Sequence, residues 1–277
     1  MINNNTNIIK TFSFHGFNRS NIIFNAKSHI LIELVSYLTY NKFNKKKIVF
    51  LTDSVGISIF KDIFNLDYDY ELIDESTIFP NDLFCLPKIY SYKKFKNNFV
   101  HLDCDIIFNR EVDFSFHGDL MYLHDENSVY KEYKNQIKNV FLPGKIYLPK
   151  VMEDNLYHMN IFNTALLAVS KNTNLSYYYD EAIKMYRDMR KVCENSYQFY
   201  HYSFNWLCAI PEQYFLGSCA LHQKLNCKSF AVMNKNEKIL SHIHTNKRDK
   251  DNDINMRQIL MQLDNKRYLT YLDLIYK

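Results

Sequence analysis

Two aspartates, Asp103 and Asp105, stand one residue apart inside an apolar stretch of this sequence. The stretch over 99–108 predicts a strand, so both carboxylates would lie on one face, roughly 6.6 Å apart along the chain. Two carboxylates beside an apolar strand are costly unless they are paired or bound to a cation. Mg²⁺ takes one or two protein carboxylates together with phosphate oxygens, and Mn²⁺ suits the same setting. The pair therefore predicts a site for Mn²⁺ or Mg²⁺, in which the cation also binds the phosphate oxygens of a ligand.

The elements that must position this pair alternate between strand and helix in the first half of the chain. Apolar runs predict strands over 8–14, 47–52, 70–73, 99–108 and 120–123. Helical spacing of apolar residues predicts helices over 26–40, 59–64 and 87–96. This alternation is typical of a largely parallel α/β sheet. Ligands of such sheets lie beyond the carboxyl ends of the strands, which is where the two acids would be found.

The second half of the chain is less regular. Residues 126–155 show no clean period and contain Pro143, Gly144 and Pro149, so we interpret them as an insertion or a mobile loop. Further strands are predicted over 158–169, 229–233 and 239–244. Further helices are predicted over 177–193, 211–221 and 254–276. No internal repeat interrupts this order, and the last helix forms a C-terminal extension.

Composition and charge exclude several classes of protein. The formal net charge of +4 is small and dispersed, which argues against nucleic acid as a partner. The basic clusters at 45–47 and 93–96 are interpreted as solvated ends of elements, with weak attraction to an anionic membrane surface or to a charged acceptor as the alternative. No apolar stretch reaches the ~20 residues that span a bilayer. The six cysteines form no CxxC pair, and the N-terminus lacks signal-peptide features. We therefore expect a cytoplasmic protein.

Four blocks of sequence, taken in order, resemble GT-A-fold glycosyltransferases and are similar to glycogenin-like enzymes and uncharacterised bacterial relatives. The blocks are Lys88-Ile89-Tyr90-Ser91-Tyr92 with the strand carrying Asp103 and Asp105, then Phe162-Asn163-Thr164-Ala165-Leu166-Leu167, then Glu212-Gln213, and finally His242-Ile243-His244 with Lys247-Arg248. Two positions depart from the pattern of that family. Ala165 stands where the family has glycine, and the glycine between the late histidine and the basic residue is absent.

The resemblance implies a role for each block. Asp103, Asp105 and one of His242 or His244 would bind the cation, and either histidine fits. Lys88 and Asn163 would contact the diphosphate or the sugar of the donor, and Lys247 or Arg248 would neutralise the leaving diphosphate. Glu212, followed by Gln213, would lie beside the reacting centre. Glu212 would act there as a general base in an inverting reaction, or stabilise the oxocarbenium-like centre in a retaining one.

Thr52 and Asp53 end the strand predicted over 47–52, where a nucleotide base or ribose often rests in such folds. Both are therefore candidate donor contacts. A role as the N-cap of the following helix is equally expected, for either Asp53 or Ser54.

The combined expectation is an α/β protein with a GT-A-like, mixed and mostly parallel sheet flanked by helices. The transferase domain would cover 1–250, and a C-terminal helix over 251–277 would pack on it. The expected reaction moves a sugar from a nucleotide-diphosphate sugar, a UDP-sugar first of all, to a glycan, lipid-linked or protein acceptor. The alternatives are a non-catalytic carbohydrate- or nucleotide-binding protein and a metal-dependent nucleotidyltransferase. For the latter, Val55-Gly56 is a poor substitute for a glycine-rich phosphate loop.

Overall fold

A computed structural model describes most of the 277-residue chain. The described residues are 6–14, 26–73, 85–115, 118–126, 128, 130–141, 146–156, 160–195, 204–233, 240–242 and 250–276. No helix in these ranges is long and apolar enough to cross a bilayer.

The strands form one large sheet and one small sheet. The strands are β1 (Asn7–Phe12), β2 (Ile48–Thr52), β3 (Asp69–Leu72), β4 (Phe99–Leu102), β5 (Ile106–Phe108), β6 (Leu120–Tyr122), β7 (Leu166–Val169), β8 (Cys227–Ser229) and β9 (Leu240–His242). The large sheet has seven strands in the order β3-β2-β1-β4-β7-β6-β8, and β5 pairs with β9 in the small one. β2 is parallel to β1 and to β3, β6 is parallel to β8, and β6 is antiparallel to β7. The expected mixed, mostly parallel sheet is confirmed.

Helices follow most of the strands. They are α1 (Ala26–Phe43), α2 (Ser54–Ile57), α3 (Leu86–Phe95), α4 (Tyr130–Gln136), α5 (Lys150–Asp154), α6 (Ser176–Asn195), α7 (Phe204–Ala209), α8 (Phe215–His222), α9 (Phe230–Met233), α10 (Lys250–Leu263) and α11 (Tyr268–Tyr276). Three of them continue into π-helical turns, at Ser58–Ile63 after α2, Ile137–Phe141 after α4 and Ile210–Tyr214 after α7. Such turns are rare and often lie at functional sites.

The chain divides into two compact units. Unit 1 comprises Met1–Asn7, Leu83–His101 and Ser115–Met233, and unit 2 comprises Ile8–Asp82, Leu102–Phe114 and Asn234–Lys277. In unit 1, α6 packs against α3 and buries Tyr178 and Tyr186. The domain boundary expected at residue 250 stays a prediction.

In unit 2, the rings of Phe12, Phe50 and Phe60 form a buried aromatic core. Both α10 and α11 lie against α1, so the C-terminal extension is helical as expected. The single helix predicted over 254–276 is wrong in one respect. It is interrupted after α10, where Asp264 Oδ1 accepts a hydrogen bond from the backbone N–H of Arg267 at 3.2 Å. This side-chain bond to the backbone competes with continuation of the helix.

Three other sequence-based expectations are corrected. The strand predicted over 99–108 is two strands, β4 and β5, separated by a turn at Cys104 and Asp105. The predicted loop over 126–155 contains α4, α5 and a π-helical turn, since Tyr133, Ile137 and Phe141 recur every four residues and are buried. The strand predicted over 229–233 is helical from Phe230 onward.

Candidate functional site

The two aspartates lie at a turn rather than on a strand. Asp103 follows the last residue of β4, and Cys104 and Asp105 form the turn that leads into β5. The backbone N–H of Ile106 donates to the carbonyl oxygen of Asp103 at 3.4 Å across this turn. Asp105 is 7% exposed, and Asp103 is half-buried. The prediction that both share one face of a strand is therefore wrong, although they do follow the carboxyl end of a sheet strand.

Strand β9 lies directly beside this turn. The pairing of β5 with β9 is antiparallel and sets Ile106 opposite His242 and Phe108 opposite Leu240. Paired residues in an antiparallel ladder have Cα atoms about 4.5–5.5 Å apart. His242 is thus paired with the residue that directly follows Asp105. Two blocks that stand far apart in the sequence meet in unit 2.

The ligand set itself stays a prediction. No group of three His, Cys, Asp or Glu side chains within the described parts of the chain is arranged to hold a metal. The side chain of His242 and all of His244, Lys247 and Arg248 lie outside the described residues. The carboxylate oxygens in the expected donor set suit Mn²⁺ and Mg²⁺ chemically.

Of the two N-cap candidates that the sequence left open, Asp53 is the N-cap of α2. Its Oδ1 accepts from the backbone N–H of Gly56 at 2.8 Å. Its Oδ2 accepts from the hydroxyl of Ser13 at 2.8 Å and from the backbone N–H of Phe14 at 2.5 Å. A Cβ atom on Gly56 would approach Thr52 Oγ1 to 1.8 Å, so α2 sits tightly on the end of β2. Donor contacts from Thr52 and Asp53 stay predictions.

Unit 1 brings Lys88, Thr164 and Glu212 together in a buried cluster. Lys88 on α3 forms an ion pair with Glu212 on the π-helical turn after α7. Thr164 precedes β7 and donates its hydroxyl proton to Glu212, while Lys88 Nζ is 3.4 Å from Thr164 Oγ1. Lys88 is 8% exposed and Glu212 is 3% exposed. Two predicted site residues, Lys88 and Glu212, therefore contact each other.

The electrostatics of this cluster keep Glu212 ionised. Burial alone raises the pKa of Glu212, but the charge of Lys88 and the hydrogen bonds from Cys85, Lys88 and Thr164 outweigh it, so the pKa is lowered from 4.5. Burial and the nearby Glu212 raise the pKa of the Cys85 thiol well above its ordinary value. At neutral pH the cluster thus holds one fixed carboxylate beside a protonated thiol. A carboxylate with a lowered pKa is a weak general base but a good stabiliser of positive charge.

Asn163 and Gln213 have local partners in unit 1. Asn163 Nδ2 donates to Glu126, and its Oδ1 accepts from the backbone N–H of Ala165 at 3.0 Å. Gln213 Oε1 accepts from the hydroxyl of Tyr133 at 2.8 Å. Ala165, where the resemblance expected glycine, is 3% exposed. Contacts of Asn163 and Gln213 with a substrate stay predictions.

Comparison with known proteins gives a family. The model of the DUF6734 family, described as a family of unknown function, matches residues 8–276. The chain belongs to this family. No curated protein matches the sequence.

Solved structures similar to this DUF6734 chain include three glycosyltransferases. Mouse xyloside xylosyltransferase 1 in its apo form is 11% identical with a TM-score of 0.42, and the match covers 81% of this chain and 84% of that one. Galactosyltransferase LgtC with donor and acceptor sugar analogues is 9% identical with a TM-score of 0.37, over 74% and 70%. GlyE of Streptococcus pneumoniae TIGR4 is 13% identical with a TM-score of 0.34, over 81% of this chain and 45% of GlyE. Because all three TM-scores are below 0.5, this likeness does not support a functional assignment.

Sequence reasoning missed a second buried cluster, in unit 2 of the DUF6734 chain. Lys10 on β1 forms an ion pair with Glu33 on α1, and both side chains are 0% exposed. Lys10 Nζ also donates to Ser36 Oγ at 2.7 Å, and Tyr68 donates its hydroxyl proton to Glu33. The available signal was one lysine inside an apolar strand pattern and one glutamate inside an apolar helix pattern. Each is costly to bury alone, so together they imply a partner.

Proposed function

We propose that this protein is a metal-dependent glycosyltransferase that takes its sugar from a nucleotide-diphosphate donor. The observation that carries the proposal is the pairing of β5 with β9, which sets the backbone of His242 beside the Asp103–Asp105 turn. Sequence blocks that the resemblance implied as joint cation ligands are thereby neighbours in the fold. Asp103, Asp105 and one of His242 or His244 would hold Mn²⁺ or Mg²⁺.

The residues at the turn suit this chemistry. A buried carboxylate such as that of Asp105, which is 7% exposed, is stabilised by a nearby positive charge. Hard carboxylate oxygens are the ligands that Mg²⁺ and Mn²⁺ take in proteins. When bound, the cation would supply electrostatic stabilisation of the negative charge on the diphosphate leaving group. Lys247 and Arg248 are the candidate side chains for the same charge.

The proposed reaction exchanges one bond at the anomeric carbon of the sugar. An acceptor hydroxyl oxygen bonds to this carbon, the bond from the carbon to the diphosphate oxygen breaks, and its electron pair leaves with the nucleoside diphosphate. The proton of the acceptor hydroxyl passes to a base or to solvent. A UDP-sugar is the first donor to examine, and the acceptor is a glycan, a lipid-linked sugar or a protein.

Of the two roles that the sequence left open for Glu212, its electrostatics favour charge stabilisation. A general base works best with a pKa near the working pH, whereas the pKa of Glu212 is lowered below 4.5 by Lys88 and by hydrogen bonds that outweigh burial. A fixed carboxylate of this kind suits the stabilisation of an oxocarbenium-like centre, which is the role that the resemblance implies for Glu212 in a retaining reaction. Gln213 beside it is the second candidate catalytic residue of unit 1.

A screen for donor hydrolysis tests the proposal. Sugar nucleotides are incubated with the protein in Mn²⁺ or in EDTA, and release of nucleoside diphosphate is followed. We expect release from at least one donor with Mn²⁺, none in EDTA, and none by the Asp105→Asn variant.

Asp113→Asn, which changes an exposed acid in the same unit, is the matched control and should retain activity. Release that is equal in EDTA, or full turnover by Asp105→Asn, would contradict the assignment. Tight nucleotide binding without turnover of any donor would instead favour a binding protein.

A further inference from the structure

Helix α1 carries a line of buried polar side chains along one side. Glu33, Ser36 and Thr39 recur every three residues, and Asn44 follows the end of the helix. All four are at most 8% exposed. Residues three to four apart share a side of a helix, so this line would be expected to be apolar if it only packed a core. Each of these polar groups needs a partner, and the identity of the partners indicates what the line is for.

The partners lie on the segment that begins at the Asp103–Asp105 turn. Ser36 Oγ donates to the carbonyl oxygen of Ile106 at 2.5 Å. Thr39 Oγ1 accepts from the backbone N–H of Phe108 at 3.2 Å, and Asn44 Oδ1 accepts from that of Val112 at 3.1 Å. Among the described strands, β5 pairs only with β9, so α1 supplies hydrogen bonds that a second neighbouring strand would otherwise give.

The Lys10–Glu33 pair sets the direction of the bond from Ser36. An ammonium group has three donors and no acceptor. Lys10 Nζ donates to Glu33 Oε1 at 3.1 Å, to Glu33 Oε2 at 3.0 Å and to Ser36 Oγ at 2.7 Å. Because Ser36 Oγ must accept from Lys10, its one proton is left for the carbonyl oxygen of Ile106. The chain Glu33–Lys10–Ser36–Ile106 is therefore oriented from end to end.

Two further contacts hold the same region. The thiol of Cys104, within the turn, lies 3.8 Å from the carbonyl oxygen of Thr11 on β1. Burial raises the pKa of Tyr68 well above its ordinary value, so its hydroxyl keeps its proton and donates to Glu33. The turn is thus held from β1 and from α1, both within unit 2.

We propose that Lys10, Glu33, Ser36 and Thr39 form a positioning network that fixes the Asp103–Asp105 turn in the geometry needed to bind a divalent cation. This inference rests on the proposed function. The carbonyl of Ile106 belongs to the residue directly after Asp105, so the bond from Ser36 restrains the backbone that carries this ligand. Cation ligands must be held within about 0.5 Å of the working geometry, and groups with no substrate contact supply that precision.

Ser36→Ala and Ser218→Ala form a matched pair of variants that test the network. Both serines are 0% exposed and lie on helices, and each donates to a backbone carbonyl, Ser218 to that of Tyr214 at 3.3 Å. The first readout is hydrogen exchange of the amides of residues 103–108 in the full chain without metal. We expect Ser36→Ala to speed exchange on the order of tenfold through local opening. Ser218→Ala should leave exchange in this segment unchanged.

The second readout is the affinity for Mn²⁺ in the presence of UDP, measured by electron paramagnetic resonance of the free ion. Ser36→Ala should weaken the affinity by about fivefold or more, and Ser218→Ala by less than about twofold. Thr39→Val, which removes the acceptor for Phe108, should weaken it as well, and Thr39→Ser, which keeps the hydroxyl, should restore it.

Three outcomes would overturn the inference, and they separate it from the proposed function. Faster exchange at residues 103–108 with unchanged Mn²⁺ affinity in Ser36→Ala would leave the proposed function intact and show that the network only stabilises the fold. Equal exchange in Ser36→Ala and Ser218→Ala would show that Ser36 does not restrain the turn. Absence of Mn²⁺ binding by the unsubstituted protein would contradict the proposed function, and with it the positioning role, whatever the exchange rates.

Discussion

Within the described residues, each unit contains a buried lysine–glutamate pair with a hydroxyl group beside it. In unit 1 the set is Lys88, Glu212 and Thr164, and in unit 2 it is Lys10, Glu33 and Ser36. The groups are chemically alike, and each hydroxyl accepts a hydrogen bond from its lysine, but the two hydroxyls donate to different groups. Thr164 donates to the carboxylate of Glu212, whereas Ser36 donates to the backbone carbonyl of Ile106.

This difference separates two uses of the same chemistry. In unit 1 the lysine, the threonine and the thiol of Cys85 all converge on Glu212, so the cluster fixes a carboxylate. In unit 2 the charges are 0% exposed, and the chain of bonds ends on the backbone of β5. A buried ion pair is weak evidence for stability by itself, because desolvation offsets much of the attraction. The group that each pair orients therefore says more about the role of the pair than the presence of the ion pair does.

The largest expected effect is in unit 2. Glu33→Gln leaves the ammonium of Lys10 without a counter-charge at a site that is 0% exposed. We expect the free energy of unfolding to fall by about 3–5 kcal/mol, as when one partner of a buried pair is removed. Urea denaturation followed by circular dichroism measures it. The double variant Lys10→Met/Glu33→Gln should recover part of the loss. A change below about 1 kcal/mol in Glu33→Gln would show that the pair is not held as described.

A somewhat smaller effect is expected in unit 1, where the side chains of Lys88 and Glu212 are 10% and 4% exposed. Glu212→Gln should lower the free energy of unfolding by about 3 kcal/mol at neutral pH. Because the pKa of Glu212 is lowered from 4.5 by Lys88 and hydrogen bonds that outweigh burial, its ionised form is favoured in the folded state. The contribution of ionised Glu212 to the free energy of unfolding is thus fully present above pH 4.5. It is lost as the pH falls through the lower pKa that Glu212 has in the folded state.

The difference in stability between the unsubstituted protein and Glu212→Gln should accordingly narrow below pH 4.5. Asp180→Asn is the matched control, because Lys93 and Asp180 form an ion pair at 2.6 Å whose side chains are 51% and 53% exposed. We expect that variant to cost less than about 1 kcal/mol. A difference for Glu212→Gln that widens on acidification would mean that the pKa of Glu212 is raised in the fold.

The smallest effect is expected at Asp53, a buried acid whose carboxylate accepts from two backbone N–H groups and one hydroxyl. Asp53→Ala removes the N-cap of α2 and the acceptor for Ser13 and Phe14. We expect a loss of about 1–2 kcal/mol in urea denaturation, the upper range for an N-cap. Ser54→Ala, at the exposed next position, should change stability by less than about 0.5 kcal/mol. Equal effects of the two variants would contradict the capping role.

Elements with a strong local period were predicted well from the sequence. The helix predicted over 26–40 is α1, the strand over 47–52 is β2, and the helix starting near Pro87 is α3. The strand over 99–108 failed, because a continuous apolar run does not reveal the turn at Cys104 and Asp105. The helices within 126–155 were missed because two prolines and a glycine in this segment interrupt the apolar pattern. They obscure the four-residue spacing of the buried residues Tyr133, Ile137 and Phe141.

The candidate site was predicted unevenly for a similar reason. A resemblance across whole blocks singled out Lys88 and Glu212, which local patterns leave unconnected, and the two residues do contact each other. Lys10 and Glu33 match no block, and their pairing depends on how β1 lies against α1, which periodicity does not specify. The nearness of His242 to Asp105 likewise follows from the β5–β9 register and not from either segment alone.

The central claim is that the acids of the Asp103–Asp105 turn hold a divalent cation against the diphosphate of a nucleotide. Isothermal titration of UDP into the protein, with Mn²⁺ or with EDTA, tests it most directly when Asp105→Asn and Asp113→Asn are compared. We predict Mn²⁺-dependent binding by the unsubstituted protein and by Asp113→Asn, and a loss of at least about tenfold in Asp105→Asn with circular dichroism unchanged. UDP binding that is the same in EDTA, or the same in Asp105→Asn, would contradict the claim.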